Sequence, residues 1–205
     1  MTRDVVLVPG LWMPAAAMAL LAARLDRGGF AARAFAHHGR EPMAGNVERL
    51  ARFAREAFAG HPAHFVGHSL GGLLILETLE RHRDLAVASV LLLGAPVRGS
   101  LIGRRFSRLG LARWMMGAAS ERWTPAEARW RRPEPLGVVA GTLSFGVGRL
   151  LGALPGANYG VVHVDETAVE GMTARVLVPV SHSMLIASPQ VARLAGRFLA
   201  SGGFA

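Results

Sequence analysis

Residues 63–80 read AHFVGHSLGGLLILETLE, and this stretch decides the fold. Ala63 to Val66 predict a strand that runs directly into Gly67-His68-Ser69-Leu70-Gly71, a match to the pattern Gly-x-Ser-x-Gly. Leu70 to Glu80 predict a helix that leaves the motif. Small residues on either side let the backbone bend sharply, which exposes the central serine at the edge of a sheet. The sequence therefore nominates Ser69 as a nucleophile.

The rest of the chain alternates short β-branched apolar runs with longer stretches of helical spacing, which is the signature of βαβ units. The predicted strands are Asp4 to Val8, Ala31 to Ala36, Ala63 to Gly67, Ala88 to Leu93, Leu136 to Gly141 and Arg175 to Val180. Nearly all are continuous apolar runs, and such runs suit strands covered by helices on both faces. We predict an α/β fold, a three-layer α/β/α sandwich around a mostly parallel sheet of about six strands.

Helices fit the gaps between these strands. They are predicted at Pro14 to Arg27, Ala44 to Ala59, Leu70 to Arg83 and Pro189 to Ala200. The 205 residues suit one domain spanning the whole chain. Gly, Trp, Met and many arginines interrupt the rhythm from Gly99 to Arg132, which predicts a short lid-like helical insertion.

Composition narrows the function classes. Cysteine is absent, which excludes a disulfide framework, a thiolate zinc site and a cysteine nucleophile. No apolar run reaches the roughly 20 residues of a membrane span, and the N-terminus lacks a signal-peptide pattern, so cytoplasm is the expected compartment.

The net charge of +9 comes from arginine alone, because the chain has no lysine. Arginines cluster between Arg98 and Arg132, and this block is either a solvated face or a surface for phosphates, lipid head groups or an acidic partner. Because no nucleic-acid motif accompanies it, we expect no nucleic-acid partner. Apolar residues interspersed with arginines from Leu101 to Trp130 also suit a lid that touches lipid surfaces, or one that packs on its own sheet.

A serine hydroxyl needs a base to remove its proton, and His182 meets this requirement. It follows the last predicted strand and precedes the final helix, which places it at the same carboxyl edge of the sheet as Ser69. The backbone amides of Leu70, after the nucleophile, and Leu11, in the loop after the first strand, suit an oxyanion hole. Zinc ligation by His64 and His68 is disfavoured, since no carboxylate joins them, and no metal or cofactor is expected.

Three segments together resemble the α/β-hydrolase superfamily, and within it the minimal lipases and esterases that lack a large cap domain. They are Val-Pro-Gly-Leu-Trp at 8–12, Gly-His-Ser-Leu-Gly-Gly at 67–72 and Val-Ser-His-Ser-Met-Leu at 180–185. The resemblance implies hydrolysis of esters or related acyl compounds through an acyl-enzyme at Ser69, with no cofactor. An apolar pocket lined by Trp12, Tyr159 and Met184 predicts a hydrophobic acyl or alcohol group in the substrate.

The resemblance also implies a catalytic triad of serine, histidine and an acid, and the acid is where this sequence departs from it. Many relatives carry an Asn-Asp-Gly-like loop before the histidine, and the matching residues here are Asn158-Tyr159-Gly160. A phenol does not supply a carboxylate's charge to an imidazolium. Asp165 is the leading replacement and Glu166 the second; the remaining alternative is that both carboxylates only cap or solvate the following turn. The departure leaves three alternatives open: a full triad with Asp165, a slow Ser-His dyad, or a catalytically weakened binding protein on the same fold.

Overall fold

The sheet of the computed structural model contains six parallel strands in the order β2-β1-β3-β4-β5-β6. The model describes residues 2–10, 13–37, 42–98, 129–143 and 164–205. The strands are β1 (Asp4–Val8), β2 (Ala31–Ala34), β3 (Ala63–His68), β4 (Val87–Leu93), β5 (Leu136–Gly141) and β6 (Ala174–Val178). Every pair of neighbouring strands runs parallel. In the register of β1 and β3, Val5 lies opposite His64, and in that of β5 and β6, Gly141 lies opposite Val178. The predicted α/β class and strand number are confirmed.

Helices cover both faces of this sheet. The α-helices in the described ranges are α1 (Ala19–Arg27), α2 (Met43–Phe58), α3 (Leu70–Arg81) and α4 (Pro189–Ser201). Buried side chains of α2 and α3 pack in one apolar core and those of α1 and α4 in another. Strand β1 explains the continuous apolar runs, because Val6 and Val8 enter the first core while Val5 and Leu7 enter the second.

Three short 3-10 helices complete the described elements: Ala15–Met18 before α1, Val164–Thr167 before β6 and Ser183–Ile186 before α4. The first replaces the opening turn of the helix predicted from Pro14. The last strand ends at Val178, two residues before the predicted end at Val180, because Pro179 has no N–H for the sheet ladder. Of the predicted insertion, residues 99–128 lie outside the described residues.

Helix length bears on membrane association. In the part of the chain that the structure describes, we find no helix that is both long enough and apolar enough to cross a bilayer.

Candidate active site

The turn between β3 and α3 holds Ser69 in a strained backbone conformation. Ser69 has φ 54° and ψ −126°, a region that side-chain-bearing residues rarely occupy. Such strain costs about 1–3 kcal/mol and persists only where the surroundings impose it. Here the Ser69 N–H donates to the Leu93 carbonyl at 2.9 Å, so the neighbouring strand β4 holds the turn in place. Backbone strain that the fold maintains in this way is typical of functional residues, so it supports a functional role for Ser69.

The glycines around Ser69 are required by close backbone packing. A Cβ on Gly67 would lie 2.6 Å from the Cα of Gly72, where the strand passes the first turn of α3. A Cβ on Gly71 would collide with the carbonyl oxygens of Val8 and Pro9 at the end of β1. Larger residues would force β3, α3 and the loop after β1 apart. The Gly-x-Ser-x-Gly pattern is therefore a packing requirement in this fold.

The loop after β1 lies directly against the serine turn. A Cβ on Gly10 would be 3.2 Å from both the Ser69 Cβ and the His68 Nδ1. The Nε2–H of His37 donates to the Pro9 carbonyl at 2.9 Å and helps to hold this loop. Donors in such a loop can reach an oxygen bound next to Ser69.

The predicted oxyanion residues are only partly described. Leu11 lies outside the described residues, as does the predicted pocket residue Trp12. Leu70 is the first residue of α3, so its N–H has no acceptor within the helix. This N–H donor, which has no acceptor among the described residues and is adjacent to the predicted nucleophile, stays a candidate for the oxyanion hole.

His182 is brought to the same edge of the sheet as Ser69. It follows β6, precedes the 3-10 helix Ser183–Ile186 and is 7% exposed. The Nε2–H of His68 donates to the His182 carbonyl at 3.0 Å, and the two rings lie 4.7 Å apart, centroid to centroid. Within the described residues, the Ser69 hydroxyl makes no hydrogen bond; catalytic hydrogen bonds are often long before substrate binds. The structure thus places the predicted nucleophile and the predicted base at one edge of the sheet, with no hydrogen bond described between their side chains.

Burial keeps both histidines neutral. Burial, together with a smaller electrostatic effect of His68, lowers the pKa of His182 to about 3. Burial also lowers the pKa of His68 to about 4, against the opposing effect of its bond to the His182 carbonyl. A carbonyl only accepts, so the proton of neutral His68 sits on Nε2. A neutral His182 is able to take a proton from Ser69, but its charged form is poorly stabilised.

The predicted acid, Asp165, is not brought to His182. It is an exposed residue of the 3-10 helix Val164–Thr167, and no hydrogen bond or ion pair connects it to His182 among the described residues. The preceding connection, residues 142–164, contains no Asp or Glu in its sequence. The backbone carbonyl of Glu166, the second candidate, accepts from the Arg98 N–H at 3.0 Å. Tyr159 lies outside the described residues, and the role of Asp165 is left to the test of an Asp165→Asn variant.

Met184 and His68 complete the comparison with the sequence. Met184, predicted to line the pocket, is 49% exposed two residues after His182, where an apolar substrate can reach it. No catalytic role was predicted for His68. The alternation of side chains along a strand could have predicted where His68 points. On β3, His68 shares a face with Val66, which packs in the core with α1 and α4. The His182 loop leads into α4, so this alternation aims His68 at that loop.

A serine presented on such a turn above a parallel sheet defines the α/β-hydrolase class. The chain belongs to the alpha/beta hydrolase family, whose model matches residues 5–200. No curated protein sequence matches the chain.

Solved structures with this fold include three hydrolases. The mature lipase BlEst2 of Bacillus licheniformis is 18% identical with a TM-score of 0.74, over 98% of this chain and 92% of that one. The metagenomic carboxyl esterase MGS0156 is 19% identical with a TM-score of 0.75, over 98% and 75%. The RedJ thioesterase of prodiginine biosynthesis in Streptomyces coelicolor is 18% identical with a TM-score of 0.60, over 96% and 84%. These likenesses establish the shared fold.

Proposed function

We propose that this protein hydrolyses carboxylic esters with small or medium hydrophobic acyl or alcohol groups. The observation that carries the proposal is the strained Ser69 turn, with the His182 loop hydrogen-bonded to the residue before the serine. Nucleophilic catalysis by serine requires a neutral base near its hydroxyl, and a buried, neutral His182 at the same edge of the sheet suits that role. Family membership and the fold shared with a lipase, an esterase and a thioesterase support hydrolysis.

The reaction proceeds in two halves. The Ser69 oxygen attacks the ester carbonyl carbon while His182 takes the hydroxyl proton, and backbone N–H groups at Leu70 and the loop after β1 stabilise the oxyanion. Collapse of this intermediate expels the alcohol, which receives the proton from His182, and leaves an acyl group on Ser69. Water then attacks the acyl-enzyme, with His182 again as base, to release the carboxylic acid and restore Ser69.

Hydrolysis of p-nitrophenyl butyrate by wild type and by Ser69→Ala tests this proposal. We expect slow but measurable turnover by wild type and background rates for the variant. Loss of a triad carboxylate costs about four orders of magnitude in turnover, yet the remaining groups keep catalysis above that of water. Turnover that survives in Ser69→Ala would place the chemistry elsewhere and overturn the proposal.

A binding protein with little chemistry is the second candidate. Two observations favour it: tyrosine at position 159, where the resemblance expects aspartate, and the low pKa of His182, whose charged form is poorly stabilised. Tyr159→Asp separates the candidates. A weakened enzyme should gain turnover, and the acid limb of its kcat/KM profile should move to higher pH, because a carboxylate raises the pKa of its histidine. A binding protein should stay inactive in both forms.

A further inference from the structure

A cleft of about 630 Å³ opens between α1 and α4. Its lining includes residues just before β1 and β2, so it lies toward the amino-terminal edge of the sheet, and neither Ser69 nor His182 lines it. We call it the α1–α4 cleft. Five arginines and no acidic residue line it: Arg3, Arg24, Arg27, Arg193 and Arg197.

Helical spacing explains why these arginines converge. Arg24 and Arg27 are three residues apart on α1, and Arg193 and Arg197 are four residues apart on α4, so each pair shares one face of its helix. The two helices pack against each other, and both pairs line the α1–α4 cleft. Four guanidinium groups are thus presented from two rigid elements.

The charge of the α1–α4 cleft is not neutralised within the described residues. The guanidinium groups of Arg193 and Arg197 make no hydrogen bond or ion pair there, and both residues are exposed. Arg3, Arg24 and Arg27 donate only to backbone carbonyls, those of Gly29, Ala187 and Ala23. An anion entering the cleft therefore meets free guanidinium donors.

Five other arginines in the described ranges pair with carboxylates, whereas none of the five arginines of the α1–α4 cleft pairs with a described carboxylate. Arg55 pairs with Asp84 at 2.7 Å and Arg81 pairs with Glu77 at 2.8 Å, both on the side of α2 and α3. A high arginine content alone does not explain unpaired arginines gathered in one concavity. The contrast points to an external anion.

The floor of the α1–α4 cleft is apolar and has room. Leu25, Phe30 and Ala192 contribute to it. Gly196 leaves space, since a Cβ there would meet only the Phe30 Cε2, at 3.9 Å. An anion with an apolar or aromatic body fits this combination better than an inorganic ion does.

We propose that the α1–α4 cleft binds a phosphate monoester that carries an apolar or aromatic body. The planar guanidinium fork matches phosphate oxygens in bidentate pairs, and a dianion with three terminal oxygens can engage several arginines at once. The body packs on Leu25 and Phe30. A soluble organic phosphate and a lipid phosphate headgroup share this chemistry. The site is independent of the esterase chemistry at Ser69.

Titration of the full chain with 1-naphthyl phosphate at low salt, followed by calorimetry, tests the site. We expect saturable binding that weakens with added salt, and no binding of 1-naphthol, which lacks the phosphate. The double variant R193Q/R197Q should bind at least about tenfold more weakly. The matched control R81Q/R83Q removes the same charge at and just after the end of α3 and should bind like wild type. Gly196→Leu, which fills the floor and favours the helix, should abolish binding without unfolding the protein.

Vesicles of phosphatidylcholine with and without phosphatidate identify the source of the phosphate. Binding of 1-naphthyl phosphate assigns a soluble ligand. Binding to phosphatidate vesicles alone, lost in R193Q/R197Q and kept in R81Q/R83Q, assigns a lipid headgroup. The proposal is overturned if neither probe binds. It is also overturned if R193Q/R197Q and R81Q/R83Q weaken binding equally, because binding would then depend only on the overall positive charge of the protein.

Discussion

The Nε2–H of His68 donates to the backbone carbonyl of His182 at 3.0 Å, and the two rings lie 4.7 Å apart. His68 is the last residue of β3 and directly precedes Ser69, so one hydrogen bond fastens the loop of the predicted base to the turn of the predicted nucleophile. Both partners are buried, which makes the bond costly to lose.

His68→Leu should lower both activity and stability, because it leaves the His182 carbonyl without its donor. We expect a stability loss of about 1–3 kcal/mol, the cost of a buried unsatisfied acceptor. His68→Gln, whose side-chain N–H can reach the same carbonyl, should recover most of kcat. Esterase kinetics and urea unfolding of the two variants supply the measurement. Equal kcat in His68→Leu and wild type would show that the hydrogen bond does not position His182.

The stability of the protein should fall as the pH falls below about 6.5. Unfolded histidine titrates near 6.5, whereas burial lowers the pKa of His68 to about 4 and of His182 to about 3. Between these values the unfolded chain binds protons that the folded protein does not, so acidification favours unfolding. The histidine contribution is fully present above pH 6.5 and is lost progressively toward pH 4.

Urea unfolding at several pH values between about 7 and 5 measures this slope, which should steepen as the pH falls and approach about 1.4 kcal/mol per pH unit for each histidine near pH 5. The double variant His68→Gln/His182→Gln should flatten the curve, leaving the contribution of His64, whose pKa burial also lowers. If stability depended on pH with the same slope in wild type and in the double variant, the loss of stability in acid would not come from His68 and His182.

Ser69→Gly should be more stable than Ser69→Ala. Glycine adopts φ 54°, ψ −126° with little strain, while alanine keeps the Cβ that makes this conformation costly. The gain is reduced by the extra freedom of glycine in the unfolded chain, so we expect a net difference of about 1 kcal/mol. Thermal unfolding of the two inactive variants gives the comparison. A less stable Ser69→Gly would mean that the turn is not strained.

Asp165→Asn should leave esterase activity close to that of wild type, since the exposed carboxylate has no bond to His182 in the described residues. Glu170→Gln, which removes an exposed carboxylate paired with Arg129, is the matched control for lost surface charge. A fall in kcat of about 10³-fold or more in Asp165→Asn alone would instead identify Asp165 as the triad acid.

The central strands of the sheet were predictable because they are buried on both faces, whereas the edge strands β2 and β6 are partly exposed. Leu136–Gly141 has the same bounds in sequence and structure, and Asp4–Val8 also agrees. Both are continuous apolar runs between clear breakers, so the pattern leaves little freedom. Errors arose at ends, where one residue such as Pro179 decides whether the ladder continues.

The candidate site was predictable only in its local part. Ser69 and His182 are marked by short motifs, and their edge of the sheet follows from parallel topology. The bond from His68 to the His182 carbonyl joins residues 114 positions apart, and a backbone acceptor leaves no trace in the sequence. Asp165 was chosen by chain order, which does not fix where its side chain points; the structure exposes it.

Mass spectrometry after treatment with a fluorophosphonate probe tests the central claim most directly. The account predicts one adduct on Ser69, formed slowly by wild type, much more slowly by His182→Gln, and not at all by Ser69→Ala. An adduct that forms at the same rate without His182, that maps to another serine, or that never forms on the folded protein would contradict a Ser69 nucleophile activated by His182.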